Sequence, residues 1–475
     1  MKPLNRKTAH AKSNRPVKVL QFGTGNFLRG FVDWVIDILN EKTDFNGDIQ
    51  IVQPHGRLPA ETLNNQEGLY HVLVRGFQNG QVVEENRLIT SVLGAINPYL
   101  DYGDYLLLAE HPDLRFVISN TTEAGIYFDP NDRDREITPG SFPAKLTAFL
   151  YRRYTYFKGD KEKGLIIIPC ELIENNGGKL KEVILQYAGL WNLPQEFVSW
   201  IEDQNPFCNT LVDRIVPGFP QENVRKIQET LGFKDEMMVM AEPFHLWVIE
   251  GPTFVEEEFA AGNIGLEVKF VKDLGPYRER KVRILNGAHT AMVPLAYLNG
   301  LRTVREAVED VHIGEFLHRI IHEEIIPTLD LPKEELAQFA QDVMERFKNP
   351  FIKHQLSDIA LNSIAKFQVR VLPSLLEYVD RKNKLPEHLV RSFAALIVFY
   401  KGTYKDQKIP VRDTEEVVAF FQEVWKEDEV GSTVKEILSN ERLWKTDLNT
   451  VFQLHERLTD EINLLLEEED RLNKI

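Results

Sequence analysis

An open α/β domain followed by a mainly α-helical one is what this sequence predicts, and three observations carry the expectation. An apolar strand runs through a glycine turn into an amphipathic helix near the N-terminus, short unbroken apolar runs recur along the first half, and after about Lys272 the pattern changes to helical periodicity. Strand, glycine turn and helix in that order make the first domain α/β of Rossmann type, with an inserted hairpin, over residues 1–272, and leave 273–475 to the helical domain. Two domains also suit 475 residues, 43% of them hydrophobic, because single cores stop growing near ~250–300 residues.

Taken in order, residues 17–22 read V-K-V-L-Q-F, a strand, and Gly23-Thr24-Gly25-Asn26-Phe27-Leu28-Arg29-Gly30 leads into a helical pattern over 31–39. The stretch 1–16 before it is basic and polar, is followed by no apolar segment of signal-peptide length, and is expected to be a disordered leader. A second strand at 49–53 follows the polar Asn46-Gly47-Asp48 loop and completes a βαβ unit. Residues 70–76 and 81–92, flanking Gln78-Asn79-Gly80, form the inserted hairpin. The runs 116–119 and 165–168 are buried parallel strands, with Asn120 to Gly125 and Pro169-Cys170-Glu171 at their carboxyl ends, where open sheets bind ligands. Residues 211–216 and 237–241 also read as strands. From Gly275 onward, helices are separated at Pro294, Gly300, Pro327, Pro350, Pro373, Pro386 and Pro410, and a last helix over about 449–472 carries the acidic run Glu467 to Asp470 as a solvated face.

A formal net charge of -16 argues against a nucleic-acid partner, which requires clustered Lys and Arg. Cys170 and Cys208 alone make neither a disulfide framework nor a thiolate metal site, which suits a reducing, cytoplasmic setting. The longest uncharged apolar run near the C-terminus, 392–400, is far short of the ~20 residues of a membrane span.

Gly23 permits a sharp strand-to-helix turn, and Gly25 lets backbone amides approach a pyrophosphate at the helix N-terminus. Leu28 stands where a third glycine is usual and Gly30 comes two positions later, so the motif draws its weight from its βαβ setting. The cofactor-contacting set is Gly23, Thr24, Gly25, Asn26, Phe27, Arg29, Gln53, Thr122 and Glu123, with Arg29 adding charge near the phosphates. At the end of the second strand Gln53-Pro54-His55 replaces the usual acidic ribose ligand; Gln53 can bond a ribose and favours NAD, whereas Arg57 would serve a 2′-phosphate.

Near the domain junction, Lys281, Asn286 and His289 interrupt the apolar face of a helix. At about 100° per residue Asn286 lies roughly 140° and His289 roughly 80° around from Lys281, so the three can border one concave surface, facing a partner in the sheet domain. A lysine desolvated there, beside Arg280 and Arg283, can act as an acid toward a developing alkoxide while Asn286 and His289 orient the oxygen. The bland reading makes Lys281 a snorkelling surface residue, Asn286 a helix-bending residue beside Gly287 and His289 an interior histidine. Tyr277 and Lys281 also have the Tyr-x-x-x-Lys spacing of short-chain dehydrogenases, but behind a different glycine motif.

The Gly-x-Gly-x-Phe-x-Arg of Gly23 to Arg29 and the Lys-x-x-x-x-Asn-x-x-His of Lys281 to His289 resemble the long-chain mannitol dehydrogenase family. The similarity continues through Thr122-Glu123-Ala124-Gly125, Val212-Asp213-Arg214-Ile215 and Arg346-Phe347-Lys348-Asn349-Pro350. It implies an NAD-dependent, metal-independent oxidoreductase with Lys281 as acid/base. The closest wording within the family implies hexuronate catabolism: reversible reduction of a keto-uronate whose ketone neighbours a terminal hydroxymethyl group. Polyol dehydrogenases of the family often carry Asn where Leu172 stands, which moves its oxyanion role to Asn286 and His289 or to Asn176; Arg346, Lys353 and His354 are candidates for the substrate carboxylate. Spacing leaves open tagaturonate, fructuronate or a neutral mannitol-type polyol. Readings of another class are a zinc hydrolase on His318 and His322, where Arg319 occupies the position of the general-base Glu, and a non-catalytic NAD(H) sensor that would not need Lys281.

Overall fold

The computed structural model describes residues 1–11, 14–53, 58–122, 124–261, 264–427 and 429–472, without the side chains of 58–59 and 468–472. The chain forms two compact units, Met1–Gly76 with Val82–Leu274, and Phe77–Gln81 with Gly275–Ile475.

In the first unit five parallel strands, β1 (Val17–Phe22), β2 (Asp48–Val52), β3 (Val92–Ile96), β4 (Phe116–Ser119) and β5 (Ile166–Pro169), lie in the order β3-β2-β1-β4-β5. Their unbroken apolar runs are what two covered faces require. Val19, Ile49, Ile51, Phe116, Ile118, Ile166 and Ile168 belong to one core, and Leu20, Phe22, Val52, Val117 and Ile167 to the other. The order reverses between β1 and β4, so the crevice for a ligand opens at the carboxyl ends of those two strands. Beyond β5 a parallel bridge from Ile167 to Phe207 leads into the strand Asn209–Asp213. That strand pairs antiparallel with Leu246–Glu250, itself parallel to Val268–Val271. The sequence reading places no strand at these last two segments.

The inserted hairpin is Tyr70–Gln78 with Gln81–Ile89, its tip turned by Asn79 (φ 52°) and Gly80 (φ 75°), as a two-residue hairpin turn needs. Val92, expected in the hairpin, begins β3 instead, because the chain breaks pairing after Ile89 and re-enters the main sheet. Residues 211–216 shorten and shift to Asn209–Asp213, and 237–241 shorten to Val239–Ala241, which pairs with Tyr70–Gln78.

The N-terminal leader is not disordered. Lys2–Pro3 pairs with Phe233–Lys234, Leu4 is buried, Arg6 donates to the carbonyl of Val92 at 2.7 Å, and Arg15 meets Asp48 at 2.6 Å. Composition reported its polarity but not these long-range partners; residues 12 and 13 lie outside the described residues.

The second unit is helical and packs around two apolar helices, Gly287–Leu298 and Glu387–Phe399, joined where Ser392 Oγ donates to the Ala291 carbonyl at 2.8 Å. Pro294, read as punctuation, lies inside the first of these; a helix buried on nearly every side keeps its course despite one lost backbone bond. The last helix starts at Leu454 rather than near 449, because Leu448–Thr450 closes a separate 3₁₀ turn capped by Asp447. Of its acidic run, Glu467 is exposed and the side chains of 468–470 lie outside the described residues.

One buried histidine of the first unit makes stability pH-dependent. His245 donates from Nδ1 to the Pro243 carbonyl and accepts the Glu267 N–H at Nε2, a pattern only the neutral ring satisfies. Burial, with the Arg214 charge, pushes its pKa down to about 4. Because the unfolded chain binds this proton more readily, the contribution is complete above about pH 6.5 and is lost as pH falls toward 4. Buried Asp33, pushed up to about 7, works in the opposite sense, so the histidine term is read by difference. Urea unfolding at pH 7 and pH 5 should show the parent losing about 2 kcal/mol more than His245→Gln; equal losses would rule out His245 as the source.

Candidate active site

β1 ends at Phe22 and the chain turns at Gly23 with φ +130°, where a Cβ would lie 2.9 Å from Leu28 Cδ1 and 3.1 Å from the Asn120 carbonyl. Glycine is needed there for both reasons. Gly25 caps the helix Asn26–Gly30 without a side-chain bond, and a Cβ on it would meet nothing within 4 Å. The first helical bond is Arg29 N–H to the Gly25 carbonyl, so the N–H groups of Asn26, Phe27 and Leu28 precede any acceptor in the helix. This open cradle at the β1 end fits a pyrophosphate. Leu28 fills the space under Gly23, and Gly30 takes the close-packing role: a Cβ there would meet Val216 Cγ1 at 2.8 Å.

As placed, Arg29 is spent on the fold rather than offered to a phosphate. Its buried guanidinium donates to the carbonyls of Thr24 (3.1 Å) and Met237 and to Asn26 Oδ1 (2.7 Å), bracing the turn from behind. Asn26 is exposed at the helix start, Thr24 is half-buried, and the Phe27 ring packs on Phe31 at 5.1 Å. Gln53 is buried and accepts the Ala60 N–H at 2.8 Å, so as placed it closes the start of the next helix rather than presenting itself to a ribose. Pro54, His55, Arg57 and Glu123 lie outside the described residues. Exposed Thr122 holds φ 92° and its carbonyl accepts from Gly125, forming a tight turn beyond β4.

The ends of β4 and β5 are tied by a residue without an assigned role in the sequence reading. Buried Glu171 accepts from Ser119 Oγ (3.0 Å), Thr121 N–H (2.9 Å) and Thr121 Oγ1 (3.0 Å); burial pushes its pKa up while these donors oppose the rise. Asn176, a candidate for the oxyanion role, is as placed occupied by the fold. Its Nδ2 donates to the Pro169 and Glu171 carbonyls and its Oδ1 accepts the Thr210 N–H at 2.9 Å, with the residue 1% exposed. Leu172 beside it is exposed.

In the second unit a continuous right-handed helical path runs from Gly275 to Leu298 in three parts: α over Gly275–Arg280, π over Lys281–Asn286, and α again from Gly287. The wheel of 100° per residue does not apply to the middle part. In a segment bonded i to i+5, residues five apart stack one turn above each other, as i and i+4 do in an α-helix. Lys281 and Asn286 are thereby placed on one face, and His289, three residues on, continues it. A Cβ at Gly287 would lie 3.0 Å from the Arg370 carbonyl, so the helix Ser363–Arg370 presses directly on this segment. The second π segment, Ile320–Ile325, serves packing: it turns Glu324 inward to accept the N–H groups of His388 and Leu389. On that helix the His318 and His322 rings lie 4.3 Å apart, and among the described residues no group of three or more His, Cys, Asp or Glu is assembled for a metal.

Lys281 and Asn286 are half-buried, and among the described residues the Asn286 amide makes no hydrogen bond. His289 stacks on Phe347 at 4.0 Å and meets the His354 ring edge-on at 5.2 Å, while its buried Nε2 has no hydrogen-bond partner among the described residues. Burial first, then the charges of His354, Arg346, Arg370 and Lys366, push the His289 pKa well below its ordinary value. Arg280 and Arg283, expected to act on Lys281, are paired with Glu335 (2.7 Å) and Glu279 (3.2 Å), so their charge is largely compensated. Of the carboxylate candidates, Arg346 is buried and already engaged, His354 joins the site through its ring, and Lys353 is exposed. Arg370 and Lys366 were missed; two bases at i and i+4 on a helix with no acid at the same spacing are the signal that was present.

The open space at Gly25 makes a clean test. Gly25→Val should keep the parental melting temperature yet weaken NADH at least ~10-fold in a fluorescence titration, because its branches enter the phosphate cradle; unchanged affinity would remove this turn from cofactor binding.

Comparison with known proteins agrees with both halves. Residues 17–262 match the mannitol dehydrogenase Rossmann domain and 273–466 the mannitol dehydrogenase C-terminal domain. The chain is 49% identical to altronate oxidoreductase of Bacillus subtilis (strain 168) over 465 residues, covering 98% of this chain and 95% of that one. It is 45% identical to altronate oxidoreductase of Yersinia enterocolitica over 473 residues, 98% of each. Among solved structures, a substrate-free D-sorbitol dehydrogenase superposes with TM-score 0.80 at 22% identity over 98% of this chain and 99% of that one. Pseudomonas fluorescens mannitol 2-dehydrogenase, in ternary complex with NAD and D-mannitol, gives 0.67 at 20% over 100% and 98%; both likenesses concern the fold. With family matches across both halves and relatives this similar over nearly the whole length, the chain belongs to the mannitol dehydrogenase family.

Proposed function

We propose that the chain catalyses the reversible NADH-dependent reduction of tagaturonate to altronate, with Lys281 as general acid in reduction and general base in oxidation. The observation that carries the chemistry is the π segment, which gives Lys281, Asn286 and His289 one face; the substrate follows from relatives named altronate oxidoreductase at 45–49% identity.

The residues of the Gly23–Leu28 turn would hold the dinucleotide, which supplies the hydride. Lys281 delivers the proton to the oxygen of the former ketone. Asn286, whose amide has no partner among the described residues, donates to that oxygen, and so does His289 in the tautomer that carries its proton on Nε2. Hydrogen bonds to a developing alkoxide are stronger than those to the ground-state ketone, so these donors act mainly in the transition state.

Lys281→Ala should lower ketone-dependent NADH oxidation by ~10³-fold or more while NADH affinity stays at the parental level. Near-parental turnover would eliminate the lysine mechanism, and a parallel loss of NADH binding would point to a structural role. Chelator treatment should leave turnover unchanged, since a lysine takes the place a metal would have. In a spectrophotometric panel tagaturonate should exceed fructuronate, and both should exceed neutral ketoses; the reverse order would overturn the substrate.

A further inference from the structure

We propose that Arg370 is the receptor for the substrate carboxylate and sets the preference for a sugar acid over a neutral sugar; this rests on the keto-uronate reading above. Three observations place it. Its main chain presses against the lysine helix, with the Arg370 carbonyl where a Gly287 Cβ would be, 3.0 Å away. Its charge acts on His289, so its side chain belongs to the same neighbourhood as the oxygen-orienting face. Among the described residues the guanidinium has neither a hydrogen bond nor an ion pair, although it is only partly exposed and burial alone depresses its pKa.

A half-buried guanidinium with five unused donors is costly, and the planar fork is matched by a carboxylate. Its place in the last turn of Ser363–Arg370 suits a cation near the negative end of the helix, but does not explain why one is withdrawn from water unpaired. The neighbouring bases are otherwise occupied. Arg346 is engaged, Lys366 Nζ donates to the Ile359 carbonyl at 2.8 Å, and His354 has a depressed pKa that keeps it neutral. In a chain of 72 acidic and 56 basic side chains, this is also where three cations, Arg346, Arg370 and Lys366, act on one histidine.

The test compares tagaturonate with tagatose, in which a hydroxymethyl group replaces the carboxylate, using the full-length chain with NADH. Arg370→Met should lower kcat/KM for tagaturonate by ~100-fold, mainly through KM, and leave kcat/KM for tagatose unchanged or raised. Arg370→Lys, which keeps the charge but loses the fork, should recover part of the loss on tagaturonate alone. Equal losses on both substrates, or no loss on either, would overturn the assignment while leaving the keto-uronate reading in place. A parent enzyme that reduces tagatose as well as tagaturonate overturns that reading, and this one with it.

Discussion

The backbone register from Lys281 to Asn286 is the constraint on which the proposed chemistry depends. A π segment has poorer internal packing than an α-helix and persists only where its surroundings hold it. Here Ile284 and Leu285 are buried within it, and the Ser363–Arg370 helix closes on Gly287 so tightly that even a Cβ would stand 3.0 Å from the Arg370 carbonyl. What this achieves is an alignment the α-helical wheel does not give. Five residues separate lysine from asparagine in the sequence, a spacing that scatters them around an α-helix and stacks them on a π segment.

The treatment of buried charge separates scaffold from site in both units. Arg29, Arg214 and Glu171 are buried, and each is met by main-chain or hydroxyl groups: Arg214 donates to the carbonyls of Glu242 and Gly30, much as Arg29 braces the Gly23 turn. Most of these donors and acceptors are met by the fold, Arg214 Nη2 being an exception among the described residues, and they rigidify the crevice where β1 and β4 part. His289 Nε2 and the Asn286 amide are different, since among the described residues they have no partners. Buried polar groups left open cost stability in the free protein, and a ligand that satisfies them recovers that cost on binding.

The fold was readable wherever one strand or helix face sufficed to specify it. The apolar runs of β1, β4 and β5 and the Asn79-Gly80 turn are local signals, and all four elements stand where the pattern put them to within a residue. What escaped was long-range. The pairing of Lys2–Pro3 with Phe233–Lys234, the antiparallel strand at Leu246–Glu250 and the spent amide of Asn176 each depend on a partner remote in sequence. The candidate site shows the same division: spacing singled out Lys281, Asn286 and His289 as able to border one surface, but the π register that stacks the first two was not legible, because a π segment has no propensity signature. The bracing bonds of Arg29 were not legible for a related reason; a cation beside a phosphate turn and a cation bracing it from behind have the same sequence.

The depressed pKa of His289 bears on which group moves the proton. Burial and the cations around it keep the imidazole neutral near pH 7, so it offers one N–H as a hydrogen-bond donor but holds no proton acidic enough to give up easily. Asn286 has no ionisable proton at all. Of the three side chains on the face, only Lys281 can cycle between a charged acid and a neutral base, which fits a reversible reaction in which the same group must protonate an alkoxide and deprotonate an alcohol. A protonated His289 would add a further positive charge beside Lys281, favour its neutral form and remove the acid that reduction requires. Keeping the histidine neutral therefore preserves the lysine's role as well as its own.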